Sequence, residues 1–230
     1  MNLVITILIL FIILLVLVKV YDINTRKLKQ FAEYEETKFN KLVDNYPSNI
    51  EICKGILKKL NNENVKIEED KNSKTCLYIA PTNKIIIADV KNSYTRIQTI
   101  AHECLHSIQK RKILLFNFIF SNIYLLYFIV VGILAIANKI QDYMLYISIM
   151  ILLSYIYYFV RSYLEDDAML KARFLAEDYM KEINISSEDE INKIIKSYDK
   201  INDVGIRTVN FQLMLGTLVK TVILAIAFLI

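Results

Sequence analysis

Four stretches of the chain carry almost no charge over lengths that ordinary globular patterning does not sustain. Residues 1–18 hold no charged side chain and are nearly all Ile, Leu and Val, residues 113–138 and 143–160 are uncharged throughout, and residues 208–230 are interrupted only by Lys220. A hydrocarbon core of about 30 Å is crossed by about 20 helical residues, so each stretch predicts a transmembrane helix. Between them the pattern changes. Residues 24–47 place Leu28, Phe31, Tyr34, Phe39, Leu42 and Val43 among charges, which predicts an amphipathic helix continuing from the first span. Ser48-Asn49-Ile50-Glu51 is a capping-box pattern opening a helix to about Leu60, where Asn61-Asn62-Glu63-Asn64 breaks it. The runs Cys76–Ala80 and Lys84–Ala88, separated by Pro81-Thr82-Asn83, predict a β-hairpin. From Ser93 the period is helical again through Ile97, Ile100, Ala101, Cys104, Leu105 and Ile108, and this helix is expected to reach the membrane surface or to run directly into the second span. After the third span, Tyr163 to Tyr179 continues as a helix, and Ser187-Glu188-Asp189-Glu190 opens another to about Asn202.

The basic residues give these spans a direction. Lys19, Arg26, Lys27 and Lys29 follow the first; Lys110, Arg111 and Lys112 precede the second; Arg161, Lys171 and Arg173 follow the third; Arg207 precedes the fourth. Only Lys139 lies on the other side. The positive-inside rule then predicts an external amino terminus, with residues 19–112 and 161–207 both cytoplasmic. Residues 1–18 lack a basic leader and a small-x-small cleavage site, and are expected to stay as an anchor rather than act as a cleaved signal. Lys220 is expected to snorkel along its stem towards the interface, since nothing near it in sequence offers a partner.

Composition narrows the classes. Hydrophobic residues make up 55% and charged residues 23%, so the polar segments are long enough to fold in water and the chain is not a bare helical bundle. A net charge of +4 without an arginine-rich, aromatic-interleaved stripe excludes nucleic acid as the expected partner. Cys53, Cys76 and Cys104 are odd in number and lack paired spacing, which points to reduced thiols rather than a disulfide framework. The expected architecture is a mainly α membrane protein of about four transmembrane helices with a small cytoplasmic α+β portion.

The chemistry is concentrated in His102-Glu103-Cys104-Leu105-His106, an H-E-x-x-H motif that uses the only two histidines of the chain. Spacing of four residues puts both imidazoles on one helix face, where they can share one zinc ion, and the intervening glutamate can reach water at the metal. Cys104 points away from that face and is expected to be packed. A catalytic zinc site needs a third protein ligand, and no third histidine exists, so a carboxylate must supply it. Glu165, Asp166 and Asp167 begin the helix leaving the third span. They are cytoplasmic, close to the membrane and on a rigid element, and spacing alone does not choose among them.

Thr99 to Gln109, a following span, and Tyr163-Leu164-Glu165-Asp166-Asp167-Ala168 together resemble the neutral zinc metallopeptidase family of bacterial membrane proteins, which pairs H-E-x-G-H-x-x-Q with a later L-E-x-D-A. Weaker likeness extends from Ser48 to Leu57 and downstream to the last span, covering roughly residues 48–225. The resemblance implies a zincin-like fold around the motif and a zinc peptidase of the gluzincin type. In it Glu165 is the third ligand and Asp167 a hydrogen-bonding partner of a ligand. Two departures concern substrate preference: Leu105 stands where the family has Gly, and an Asp-His-Tyr-Asp-Pro-like stretch is missing ahead of the strands. Membrane proteases of the heat-shock and CAAX-processing type are similar in layout, but their E-x-x-A-D motif fits Glu165 to Met169 poorly.

The expected activity is peptide-bond hydrolysis at the cytoplasmic face of the cell membrane, with one zinc per chain on His102, His106 and Glu165 and with Glu103 as general base. Asp167 would orient a ligating imidazole, and the edge of the Lys84–Ala88 strand would bind a peptide or protein substrate by strand addition. The rival is a non-catalytic membrane assembly or quality-control factor in which zinc only ties helices together. Such a site is more often closed by four protein ligands and leaves Glu103 without a duty.

Overall fold

A computed structural model describes residues 3–21, 25–73, 75–90 and 93–229. The elements in chain order are α1 (Leu3–Tyr21), α2 (Thr25–Asp44), α3 (Asn49–Lys59), β1 (Lys66–Asp70), β2 (Leu77–Ile79), a short 3-10 turn (Ala80–Thr82), β3 (Lys84–Ala88), α4 (Arg96–Ile108), α5 (Arg111–Ile136), α6 (Tyr143–Ile183) and α7 (Glu188–Ala227). Four of these helices, α1, α5, α6 and α7, are long and apolar enough to cross a membrane. The chain divides into two compact units: Met1–Ile23, Leu115–Tyr163 and Arg207–Ile230 form one, and Asn24–Leu114 with Leu164–Ile206 form the other.

The second unit holds the motif. α3 starts on Ser48, whose side chain and backbone exchange hydrogen bonds with Glu51 in a capping box. Ile52, Cys53, Ile56 and Leu57 then fall on one face and pack with Ile97, Ile100, Ala101 and Cys104 of α4. The α6 face opposite them is lined by Ala168, Ala172 and Ala176, small residues that allow close approach. Gly55 has the same role on α3: a Cβ there would sit 2.7 Å from the buried ring of Tyr179. Arg96, at 1% exposure, ties the start of α4 to its neighbours, donating to the Val43 and Tyr46 carbonyls at the end of α2 and to Asn49 Oδ1. Helix ends leave carbonyls without intrahelical partners, and here a buried guanidinium meets the Val43 carbonyl in the last turn of α2 and the Tyr46 carbonyl just beyond it.

The sheet corrects the sequence reading. β3 is the central strand of three, in the order β1-β3-β2; β1 pairs with it in parallel and β2 antiparallel. The Lys84–Ala88 strand therefore has no free edge, and the exposed edges belong to β1 and β2. β1, Lys-Ile-Glu-Glu-Asp, was not expected as a strand, because its charges mask the period-2 signal. Only pairing with the apolar β3 draws it into the sheet. The β2–β3 connection falls where expected, with Asn83 in the left-handed region at φ 48° after the turn.

Two further findings concern helix continuity. α4 does not run into the second span: Gln109 adopts an extended backbone (ψ 158°), and α5 begins afresh at Arg111. The end of α4 is closed by Asn62, whose amide donates to the Ser107 carbonyl and hydroxyl. The Ser187–Glu190 capping box does open a helix, but α7 continues unbroken through Asn202 to Ala227 instead of stopping before the last apolar block. The junction between the first span and the amphipathic helix falls on residues 22–24, outside the described residues.

In the first unit large apolar side chains face outwards, among them Leu8, Ile12, Ile119, Leu126, Ile133 and Leu152. Several of the buried positions are small or polar: Ala225, Ser154, Asn210, Thr217 and Thr221. Tyr124 hydroxyl pairs with Ser154 Oγ at 3.1 Å, and Ser162 Oγ donates to Asn210. Lys220 has a partner after all, since its ammonium lies 5.2 Å from the centre of the Tyr124 ring, a cation–π contact that sequence proximity could not show.

Candidate metal centre

α4 carries His102 and His106 one turn apart, with their rings edge to face and centroids 4.6 Å apart. The opposite face of the helix is anchored in the core by Ile97, Ile100, Ala101 and Cys104, so the two imidazoles are held on the side that meets α6. There α6 presents Glu165, flanked by the buried Leu164 and Ala168. The three ligand atoms converge. His102 Nε2 and His106 Nε2 are 3.0 Å apart, and Glu165 Oε2 lies 3.3 Å from the first and 3.7 Å from the second.

These residues form a group that could hold a metal ion, and it is the only group of three or more His, Cys, Asp or Glu side chains with that property among the described residues. Its size can be tested. Ligand atoms at tetrahedral angles about 2.0–2.1 Å from one ion lie about 3.3–3.4 Å from each other. The three observed separations bracket that value. Glu165 and His106 side chains are only 10% and 9% exposed, whereas His102 is 18% exposed, so one side of the cluster remains accessible. A carboxylate and two imidazole nitrogens this close and this buried call for a cation or a shared proton between them. Accordingly His106 has a raised pKa. Burial alone would lower it, but the hydrogen bond and charge of Glu165, then Glu103 and Gln109, outweigh that effect.

The other nitrogen of His106 leads outwards through Gln109. Nδ1 lies 2.9 Å from Gln109 Oε1, while Gln109 Nε2 donates to the Leu164 carbonyl at 2.8 Å and to Asp167 Oδ2 at 3.1 Å. Asp167, expected to bond a ligating imidazole, thus reaches His106 only through Gln109, and it is also paired with Lys171. Burial works against its negative charge, but Lys171 and Gln109 prevail and hold its pKa below the usual carboxylate range. The indirect route to His106 follows from helix geometry: Asp167 lies two residues beyond Glu165, about 200° around α6, so the two carboxylates do not point at the same ring.

Glu103 is 8% exposed and turns towards the sheet, where its Oε2 accepts the Tyr78 N–H at 2.6 Å. Tyr78 is the middle residue of β2, whose other side pairs with β3. The outer edge of β2 therefore faces the motif helix. Neither Gln109 nor the Tyr78 N–H had a role in the sequence reading. Gln109 was visible as the last residue of the motif string, three positions after His106, but a backbone N–H leaves no trace in a sequence. Asp166, the third acidic candidate, is not part of the cluster. Cys104 faces away from the histidines, its Sγ 3.7 Å from Cys53 Sγ, and burial raises its pKa well above the usual thiol value. Leu105 is buried in the core, which accommodates its bulk.

Comparison with protein-family models, with curated proteins and with solved structures gives no match to this chain, so the geometry of the site carries the functional argument.

Proposed function

We propose that the chain is a membrane-embedded zinc metallopeptidase, with His102, His106 and Glu165 holding one Zn²⁺ and Glu103 as general base. The observation that carries this reading is the convergence of three ligand atoms from α4 and α6 at separations of 3.0 to 3.7 Å, with the His102 side of the cluster partly exposed. Two histidines and one carboxylate with an open position is the donor set of a catalytic rather than a structural zinc site, and it fits the resemblance to the neutral zinc metallopeptidase family. Zinc bound there supplies a Lewis acid for the scissile carbonyl and acidifies water to a pKa of about 7.

The protein's own groups do the rest. Glu103, adjacent to His102 on α4, takes a proton from the attacking water and passes it to the leaving amine. The outer edge of β2 accepts an extended peptide by strand addition, which places the scissile bond beside Glu103 and supplies affinity through backbone hydrogen bonds with little sequence selectivity. Engaging the Tyr78 N–H frees the Glu103 carboxylate to face the water. The four apolar helices are compatible with a multi-pass membrane protein, and the positive-inside rule supports a cell-membrane placement with the amino terminus outside and the site on the cytoplasmic side.

The experiment is zinc stoichiometry and peptide hydrolysis on detergent-purified full-length protein, comparing wild type with Glu165→Ala and Glu103→Gln. The expected outcome is about one zinc per chain in wild type, its loss in Glu165→Ala, and in Glu103→Gln a fall in hydrolysis of about 10² to 10⁴ with zinc retained. A wild type that takes up no zinc removes the proposed chemistry. Unchanged hydrolysis in Glu103→Gln removes Glu103 as the general base, whereas a wild type that binds zinc, hydrolyses no peptide and keeps its cellular function in Glu103→Gln favours the non-catalytic assembly factor.

A further inference from the structure

We infer that Gln109 is a positioning residue for the metal centre, fixing the tautomer of His106 and binding the end of the motif helix to the turn of α6 that carries Glu165. The inference rests on the metal-centre reading above, and it follows from which atoms can donate. The Leu164 carbonyl has no proton to give, and neither does an ionised Asp167; both lie within hydrogen-bond distance of the same end of the Gln109 amide, at 2.8 and 3.1 Å. That end must be the NH₂ group. The other end is then the carbonyl oxygen, an acceptor, and it faces His106 Nδ1 at 2.9 Å. An acceptor there requires the proton on Nδ1. The lone pair of a neutral His106 is thereby placed on Nε2, the atom that points at His102 Nε2 and Glu165 Oε2.

The position of Gln109 makes one residue sufficient for both tasks. It is the C-cap of α4, where the backbone leaves the helix with ψ 158° and directs the side chain across to α6. Its NH₂ group holds the Leu164 carbonyl, one residue before the carboxylate ligand, and so couples the ligands on α4 to the ligand on α6 without touching the ion. A partner that both orients a ligating imidazole and locates a second ligand commonly contributes 10- to 100-fold in metal affinity.

The test uses full-length protein in detergent, labelled with ¹⁵N-histidine; only His102 and His106 contribute, and a His102→Gln variant assigns them. In the metal-free wild type at pH 9, His106 is expected as the Nδ1–H tautomer. Gln109→Leu, which keeps the bulk and removes both functions, is expected to lose that preference and to raise the zinc Kd by about 10- to 100-fold. Gln109→Glu keeps an acceptor for Nδ1–H but no donor for Leu164; it should retain the tautomer, with a zinc Kd between the other two. An Nε2–H tautomer in wild type, or a Leu variant with unchanged tautomer and a Kd within twofold of wild type, would overturn the inference. Because the tautomer is read without metal or substrate, a protein that behaves as expected here yet hydrolyses no peptide refutes the peptidase reading and leaves the role of Gln109 standing.

Discussion

The two units sort the same residue types in opposite directions. In the unit that holds the candidate metal-site residues, Ile52, Ile56, Ile85, Ile97 and Ile100 are fully buried, and the buried Arg96 and Glu165 meet polar partners. In the other unit Ile12, Ile119, Leu126 and Ile133 face outwards, and buried positions include threonine, serine and asparagine. Water expels apolar surface, so it produces the first arrangement. Lipid does not, so helices within it associate through small residues and hydroxyl or amide contacts, as the second arrangement does. The proposed bilayer placement thus rests on the direction of sorting as well as on the length of apolar runs.

Matched substitutions break or sharpen that contrast. Leu126 and Leu170 are almost equally exposed, at 60% and 57%, but lie in different units. Leu126→Arg is expected to cost about 3 to 4 kcal/mol of membrane insertion, whereas Leu170→Arg should change stability by no more than about 0.5 kcal/mol. Membrane-integrated yield and thermal stability in detergent measure both, and equal tolerance of the two arginines would remove the contrast. Arg96→Met probes the water-sorted interior: it removes the guanidinium's bonds to the Tyr46 and Val43 carbonyls and to Asn49 Oδ1, leaving Val43 only its bond from the Tyr46 N–H, and should destabilise by about 3 kcal/mol in chemical denaturation. Gly55→Ala tests the packing of α3 on Tyr179, with an expected loss of about 2 kcal/mol from overpacking and no change in zinc stoichiometry.

The smallest effect is a pH dependence confined to the same unit. Because the folded pKa of His106 is raised, the metal-free protein gains stability from its proton at low pH, and that gain is lost as pH rises through the folded pKa. Zinc competes with the same proton. Its affinity should climb by up to roughly tenfold per pH unit below that pKa and level off above it, measured by chelator competition. A flat profile across pH 6 to 8 would show that His106 does not ligate. Both histidines lie outside the apolar unit, so this slope belongs to the unit that holds the motif.

Some of this was legible in the linear chain because the physics is local. The Ser48 and Ser187 caps, the helical run around the motif, the turn at Asn83 and the four apolar lengths each depend on residues within a few positions of one another. The motif placed two imidazoles on one face for the same reason. Sequence spacing left Glu165, Asp166 and Asp167 equivalent, since which of them meets α4 depends on the rotation of α6 about its axis, set by Ala168, Ala172 and Ala176 against the core.

Long-range pairing decided the remainder. Charged β1 became a strand only because β3 offered it backbone partners, and that made β3 central and left the open edge beside Glu103 to β2. The route from His106 to Asp167 passes through Gln109, and Lys220 lies over Tyr124, contacts between helices far apart in the chain. The sequence by itself determined which segments are apolar, where most helices begin and which two histidines share a face, because periodicity and caps act over a turn or two. Only the tertiary structure decided which carboxylate joins them and which amide holds them, because those choices depend on the rotation and register of packed elements, which no local pattern encodes.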